Sequence, residues 1–126
     1  MNILIVDDSS SVRLLIQNTL AEHPEAGTFK FFNAENGQVA LDILEYNTID
    51  IVFVDWHMPV MDGEALTQII HQDKRFNKVK IIMESAESDK QKVIKMLKQG
   101  INGYLLKPFE KGTITKTFDS VRKKAH

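Results

Sequence analysis

The chain has 126 residues, no cysteine and a formal net charge of −1, and 43% of its residues are hydrophobic. This size and composition are typical of a globular protein with a real core, and we expect a single domain over residues 1–126. The absence of cysteine excludes disulfides, thiolate nucleophiles and cysteine-based zinc sites. No apolar stretch approaches the roughly 18 residues of a membrane span, and the N-terminus lacks signal-peptide features, so we expect a cytoplasmic protein without membrane insertion.

The small net charge hides an uneven distribution of charged residues. Residues 1–63 contain ten acidic and two basic residues, whereas residues 64–126 contain seven and fourteen. One interpretation is that solvated faces happen to sort this way. The other is an acidic site in the first half and a basic docking face in the second. Nucleic acid is a weak candidate partner, because the basic residues alternate with apolar ones at helical spacing and no aromatic platform accompanies them.

Five short apolar runs alternate with helical patterns along the chain. The predicted strands are 2–6, 28–32, 50–54, 80–83 and 103–106. The predicted helices are about 10–21, 36–46, 64–72, 89–99 and 113–125. Strict alternation predicts parallel strands with right-handed crossovers, and the chain is too short for an eightfold barrel. We therefore predict an α/β fold with a flavodoxin-like, doubly wound five-stranded parallel sheet, strand order 2-1-3-4-5, and five helices.

Apolar residues at helical spacing predict which side of each helix is buried. In helices one, four and five the predicted inward residues are Val12, Leu15, Ile16 and Leu20; Val93, Ile94 and Leu97; and Ile114, Phe118, Val121 and Ala125. Asp62 and Ser88 are predicted helix N-caps, and Gly100 is predicted to end helix four.

Carboxylates follow two of the predicted strands. Asp7 and Asp8 end the first strand, and Asp55 ends the third. In the order 2-1-3-4-5 these strands are neighbours at the switch point, where ligands bind in such sheets. Three converging carboxylates repel one another unless a cation neutralises them, and oxygen ligands favour Mg²⁺, Mn²⁺ or Ca²⁺. Simple capping of the first helix would suit one of these acids, but it is the weaker interpretation of all three.

Two further polar residues are predicted at the same edge. Lys107 ends the fifth strand, where its charge can pair with an acid or with a phosphate on it. Lys107–Pro108 is a candidate cis peptide bond. Ser85 ends the fourth strand, and its hydroxyl can donate to a phosphoryl oxygen. The simpler alternatives are a surface lysine before a loop, and a serine that caps a helix or contacts solvent.

Four segments of the chain resemble a CheY-like response-regulator receiver domain. They lie in the family's order and spacing and span essentially the whole chain. The segments are Val6-Asp7-Asp8-Ser9, the ten residues from Val54 to Gly63, Ser85-Ala86 and the seven residues from Gly103 to Phe109.

The resemblance implies a phospho-acceptor and a metal site. Asp55 would accept a phosphoryl group from a histidine kinase or phosphotransfer protein. Asp8 and Asp55 would bind Mg²⁺, or Mn²⁺, through their carboxylates, and His57 through its backbone carbonyl. Asp7 would act mainly through a bound water.

The resemblance also implies how phosphorylation is sensed. Ser85 would hydrogen-bond the phosphoryl group and Lys107 would pair with it. Tyr104 would be the aromatic switch residue, swinging inward as Ser85 moves, although plain packing is the other interpretation of this tyrosine. His57 and Glu87 occupy positions where the family tunes dephosphorylation, and we hypothesise that they set the lifetime of the phosphoryl group.

Glu84 departs from the family pattern, which usually places an apolar residue there. A carboxylate at that position must reach solvent, find a cation or raise its pKa. One expectation is that it lies harmlessly at the fraying edge of the strand. The other is that it alters phosphoryl lifetime or switch coupling.

These observations predict a stand-alone signalling switch that is not an enzyme beyond its own phosphorylation and dephosphorylation. A downstream protein, such as the flagellar motor in chemotaxis or another effector, would bind the face formed by helix four, strand five and helix five. The alternatives are a phosphorelay intermediate or phosphate sink, and a receiver excised from a larger regulator. An aspartyl phosphohydrolase is disfavoured, because His57 stands where its second catalytic aspartate belongs.

Overall fold

Five parallel strands form one sheet in the order 2-1-3-4-5 in the computed structural model, which describes residues 1–123. The strands are β1 (Asn2–Val6), β2 (Lys30–Ala34), β3 (Ile51–Asp55), β4 (Lys80–Ser85) and β5 (Gly103–Leu106). The helices are α1 (Ser10–Ala21), α2 (Gly37–Tyr46), α3 (Gly63–Gln72), α4 (Lys90–Lys98) and α5 (Lys111–Arg122). The predicted strand order, parallel pairing and five helices are confirmed.

The sheet buries a hydrophobic layer on each face. Because successive side chains of a strand point to opposite faces, Leu4 and Val6 enter one layer while Ile3 and Ile5 enter the other. Helices α2, α3 and α4 cover the first layer, and α1 and α5 cover the second. Burial on both faces explains why the central strands are unbroken apolar runs. Within residues 1–123, no helix has the length and apolar character needed to cross a membrane.

Strand β2 begins two residues later than predicted from the sequence. Residues 26–28 form a short 3₁₀ turn, in which the backbone N–H of Phe29 donates to the carbonyl of Ala26 (3.0 Å). Pairing with β1 then starts where Lys30 lies opposite Asn2. The turn satisfies its own backbone groups, so these residues do not need a partner strand.

Strand β4 is two residues longer than predicted, and this extension affects the site. Glu84 lies opposite Asp55 of β3 on one side and opposite Leu105 of β5 on the other. Ser85 continues the pairing with β5. A strand with partners on both sides keeps its geometry through a residue of low strand propensity such as glutamate.

Helix α4 differs from the prediction in its N-cap and its buried side. Asp89, and not Ser88, is the N-cap, and its carboxylate accepts hydrogen bonds from two backbone N–H groups of the first turn. Met96 is the buried residue of the helix, whereas Ile94 and Leu97, which were predicted to face inward, are 38% and 45% exposed. Only a narrow stripe of the helix around Met96 is therefore enclosed.

The remaining helix predictions hold with small shifts. The carboxylate of Asp62 caps α3, and Gly100 follows α4 with a φ of 97°, as a C-terminal cap requires. Helix α5 begins at Lys111, two residues earlier than predicted, because the carbonyl of Glu110 accepts the first helical hydrogen bonds. The predicted inward residue Ala125 lies outside the described residues.

Candidate functional site

Three aspartates lie together at the carboxyl edge of the sheet, where β1 and β3 end side by side. Asp7, Asp8 and Asp55 each offer a carboxylate oxygen, and these oxygens lie within 4.8 Å of one another. Asp7 and Asp55 are 0% and 4% exposed, whereas Asp8 faces solvent. The topology therefore brings together the three acids predicted to converge, with two enclosed and one at the surface.

Lys107 supplies a positive charge between the two enclosed aspartates. Its Nζ lies 3.2 Å from Oδ1 of Asp55 and 3.3 Å from Oδ2 of Asp7. Its backbone N–H donates to the carbonyl of Ser85 (2.8 Å), and the following bond to Pro108 is cis, as predicted. Burial alone would lower the pKa of Lys107, but the charges of Asp7 and Asp55 raise it, so the ammonium group stays protonated.

Hydrogen bonds within the turn between β1 and α1 hold Asp7 in place. Ser9 donates its N–H to Oδ1 of Asp7 (2.8 Å), and its hydroxyl caps α1 by accepting from the N–H of Val12. The Arg13 guanidinium donates to the main-chain carbonyl of Asp7. Arg13 is not among the sequence-predicted site residues. The sequence does offer one signal for Arg13, because it is one of two basic residues in the acidic first half of the chain.

The pKa values of the two enclosed aspartates are shifted in opposite directions. Burial raises the pKa of Asp55, the charge of Asp7 raises it further, and Lys107 offsets this only in part. Burial also acts to raise the pKa of Asp7. The contact with the Glu84 carboxyl group, the hydrogen bond from Ser9 and the charge of Lys107 outweigh burial, so the pKa of Asp7 lies below its usual value. Asp7 is therefore the fixed anion of the pair, and Asp55 is the more basic carboxylate.

Glu84 adds a fourth carboxyl group, enclosed beside the cluster. The side chain is 0% exposed, and the expectation that it lies at a fraying strand edge is wrong, because β4 continues through Ser85. Within residues 1–123, no N–H or O–H group donates to either of its oxygens, and its polar neighbour is the carboxylate of Asp7. Burial raises the pKa of Glu84 well above its usual value, and the contact with Asp7 raises it further. Of these two carboxyl groups, Glu84 therefore keeps its proton to the higher pH.

Ser85 and Tyr104 meet at the backbone of Glu87. The buried Ser85 hydroxyl oxygen accepts from the N–H of Glu87 (3.0 Å). The half-buried Tyr104 donates its hydroxyl to the carbonyl of Glu87 (2.6 Å). The loop between β4 and α4 thus joins the two predicted switch residues. The Glu87 side chain itself lies along this loop, 3.9 Å from the ammonium of Lys92.

The loop after β3 places His57 at the surface beside Asp55. The backbone N–H of His57 donates to Oδ1 of Asp55 (3.3 Å), and its side chain is exposed. Further along, the N–H of Met61 donates to the carbonyl of Pro59 (2.8 Å) around Val60, whose φ is 70°. This is a γ-turn of the strained kind, which β-branched residues rarely adopt. No pattern in the amino-acid sequence predicts this turn.

Comparisons with known proteins agree with this geometry. The family model of the response regulator receiver domain matches residues 3–119. The chain is 36% identical over 122 residues to a chemotaxis protein CheY homolog of Campylobacter jejuni, covering 96% of this chain and 92% of that protein. It is 40% identical over 110 residues to chemotaxis protein CheY1 of Helicobacter pylori, covering 86% of each.

The fold also matches solved structures of this kind. Chemotaxis response regulator CheY4 of Vibrio cholerae superposes with a TM-score of 0.84 at 28% sequence identity, over 95% of this chain and 97% of that one. Because the receiver model spans nearly all of the sequence, and relatives above 30% identity align along most of it, the chain belongs to the response regulator receiver domain family.

Proposed function

We propose that the chain is a cytoplasmic response regulator that accepts a phosphoryl group on Asp55 and then changes its binding to another protein. The observation that carries the proposal is the convergence of Asp55 with two further aspartates and Lys107 at one sheet edge. A nucleophilic carboxylate, acidic neighbours for a cation and a lysine for phosphoryl oxygens are the groups that phosphoryl transfer to aspartate needs.

In the proposed reaction, a carboxylate oxygen of Asp55 attacks the phosphorus of a phosphohistidine on a kinase or phosphotransfer protein. The phosphorus–nitrogen bond breaks, its electron pair leaves with the donor's imidazole, and an acyl phosphate remains on Asp55. Lys107, already 3.2 Å from Asp55, pairs with the new phosphoryl oxygens, and Ser85 hydrogen-bonds one of them. Positioning and charge neutralisation supply most of the rate in such transfers.

The acidic cluster fits a hard divalent cation, Mg²⁺ or Mn²⁺. Its donors are all oxygen atoms, and burial of two carboxylates leaves negative charge that Lys107 alone does not balance. We propose that the carboxylates of Asp8 and Asp55 and the backbone carbonyl of His57 hold the ion, with Asp7 acting through a water. When bound, the ion neutralises charge on the phosphoryl oxygens.

Incubation with acetyl phosphate and Mg²⁺ tests the central step. We expect intact-mass spectrometry to show one added phosphoryl group on the wild type, none on Asp55→Asn, and none on the wild type in EDTA. Asp42→Asn, the same change at an exposed residue of α2, is the matched control and should be labelled normally. An unlabelled wild type would overturn the proposal, and labelled Asp55→Asn would place the acceptor elsewhere.

We also propose that His57 and Glu87 set the lifetime of the phosphoryl group. His57 is exposed beside Asp55, and the Glu87 backbone contacts both Ser85 and Tyr104. Following the loss of the mass shift after donor removal gives the half-life. Unchanged half-lives in His57→Ala and Glu87→Ala would contradict this role.

The downstream partner is proposed to bind the face formed by α4, β5 and α5. Three apolar side chains are exposed there: Ile94 at 38%, Leu97 at 45% and Leu106 at 46%. Exposed lysines of α4 surround them, namely Lys90, Lys92, Lys95 and Lys98. An apolar centre with a basic rim fits an acidic protein surface. Since the relatives are named chemotaxis proteins, the flagellar motor is the first target to test.

Binding to a flagellar switch protein from the same organism tests this face. We expect affinity to rise when beryllofluoride mimics the phosphoryl group and to fall as salt concentration rises. Lys95→Glu should weaken binding, whereas Lys30→Glu, on the opposite edge strand β2, should leave it unchanged. Binding indifferent to both the mimic and salt would argue against the proposed face.

A further inference from the structure

Strand β1 leaves the sheet at Asp7, and the chain then turns into α1. The last residue of β1 in register with its neighbours is Val6, which lies opposite Ala34 of β2 and Val54 of β3. One step further, Asp7 still donates its backbone N–H to the carbonyl of Ala34 (3.1 Å). The carbonyl of Asp7 lies past the paired residues on both sides, and a buried carbonyl without a hydrogen bond is costly. It therefore needs a partner from outside the sheet.

Arg13 supplies this partner from α1. Its guanidinium donates to the carbonyl of Asp7. Its backbone N–H donates to the carbonyl of Ser9 (3.1 Å), which is the N-cap residue of the same helix. A hydrogen bond from a charged donor is roughly twice as strong as one between neutral groups. The side chain of Arg13 thus ties the end of β1 to the helix that follows it.

The segment held in this way carries two acids of the cluster. Ser9 donates its N–H to Oδ1 of Asp7 (2.8 Å), so both the carboxylate and the carbonyl of Asp7 are bonded to residues at the start of α1. Asp8 faces solvent, and within residues 1–123 no hydrogen bond or ion pair restrains its carboxylate. The direction of the Asp8 side chain therefore depends on the backbone of this turn.

The charge of Arg13 and its hydrogen bond would act on a bound cation in opposite directions. A guanidinium beside an acidic cluster repels a divalent cation, so its loss would strengthen cation binding if charge were its whole effect. A group that holds metal ligands in their working arrangement does the reverse, and the loss of such a group typically lowers metal affinity by about 10- to 100-fold. The sign of the change in affinity therefore distinguishes the two effects.

We infer that Arg13 is a positioning residue of the cation site, which fixes the turn carrying Asp7 and Asp8 through its bond to the Asp7 carbonyl. This inference rests on the proposed binding of Mg²⁺ by the aspartate cluster. Arg13 offers no oxygen ligand, so it acts only through the residues that do. The simpler alternative is that Arg13 stabilises α1 alone, in which case its replacement would change stability and leave the affinity for Mg²⁺ as it is.

Three variants separate these roles without any phosphoryl donor. Arg13→Met keeps a long flexible side chain with neither donor nor charge, and Arg13→Lys keeps the charge and a donor. Arg75→Met removes the same charge from an exposed residue of the turn before β4, at the amino edge of the sheet, and is the matched control. Mg²⁺ is titrated into each metal-free protein, and the dissociation constant is read from the fluorescence of Trp56, the single tryptophan of the chain, which directly follows Asp55.

We expect Arg13→Met to bind Mg²⁺ about tenfold more weakly than the wild type and Arg13→Lys to bind within about threefold of it, with the control unchanged. Tighter binding by Arg13→Met would show that the charge of Arg13 is what matters. Unchanged binding by Arg13→Met would show that Arg13 serves only the stability of the helix. Either of these two results would overturn the inference.

Hydrogen exchange followed by NMR in the metal-free proteins tests the turn itself. The N–H of Ser9, which donates to the Asp7 carboxylate, should exchange about tenfold faster in Arg13→Met than in the wild type. Exchange at the wild-type rate would overturn the inference even if the affinity for Mg²⁺ falls. If the wild type itself binds no Mg²⁺, the proposed function fails with the inference, and this result is distinct from a failure among the variants alone.

Discussion

Gly63→Ala is expected to lower the free energy of unfolding by about 3 kcal/mol. Gly63 begins α3 and donates its N–H to the carbonyl of Trp56 (2.9 Å). An alanine Cβ would lie 2.5 Å from the main-chain oxygen of Asp55 and 2.8 Å from Cα of Trp56. Both atoms belong to the backbone and cannot turn aside, so either α3 or the end of β3 must move. Urea unfolding followed by circular dichroism measures the loss.

Gly112→Ala is the matched control for this substitution. Gly112 lies in α5, and a Cβ built there meets nothing within 4 Å. Alanine is favoured over glycine inside a helix by up to about 1 kcal/mol, so this variant should be slightly more stable than the wild type. A Gly63→Ala protein as stable as the wild type would show that the close approach of α3 to the end of β3 is not a constraint.

Glu84→Met is expected to raise the free energy of unfolding of the metal-free protein by about 2 kcal/mol. The wild-type carboxyl group is enclosed in a central strand, where no described donor compensates its lost hydration and where Asp7 lies against it. Methionine has a similar volume and no polar atom that needs a partner. Urea unfolding in EDTA tests the gain without any contribution from a bound cation.

Glu84→Gln separates polarity from charge in the same experiment. Its amide remains an enclosed polar group, so its stability should stay closer to that of the wild type than to that of Glu84→Met. A methionine variant less stable than the wild type would mean that the contact with Asp7 stabilises the fold.

The sequence was sufficient to predict the sheet and the meeting of its acids. Buried parallel strands appear as continuous apolar runs, and alternation with helices leaves few topologies open. Once the order 2-1-3-4-5 is set, the ends of the first and third strands must be neighbours, so Asp7 and Asp55 converge whatever the details of packing. These features depend on the pattern of many residues, and single substitutions barely change them.

The end of β4 at Glu84 and the buried side of α4 could not be predicted from the sequence pattern. Propensity places the end of β4 before a glutamate, but the strand continues because partners on both sides hold it. In α4 several apolar residues cover more than one side, and which of them is enclosed depends on the rotation of the helix. Asp89 caps the helix, and Met96 rather than Leu97 faces the sheet. Both outcomes depend on tertiary contacts.

The light anchoring of α4 has a consequence for the energetics of signalling. Because Met96 is the buried side chain of this helix, we expect the helix to detach at a small fraction of the free energy of global unfolding. The native state then includes a minor population of sub-global openings confined to this part of the protein. Coupling free energies of about 1–3 kcal/mol are typical between linked sites. Under the proposed function, a bias of that size would reach α4 through the Glu87 backbone, which joins Ser85 to Tyr104, and would shift the balance between the conformations of this helix.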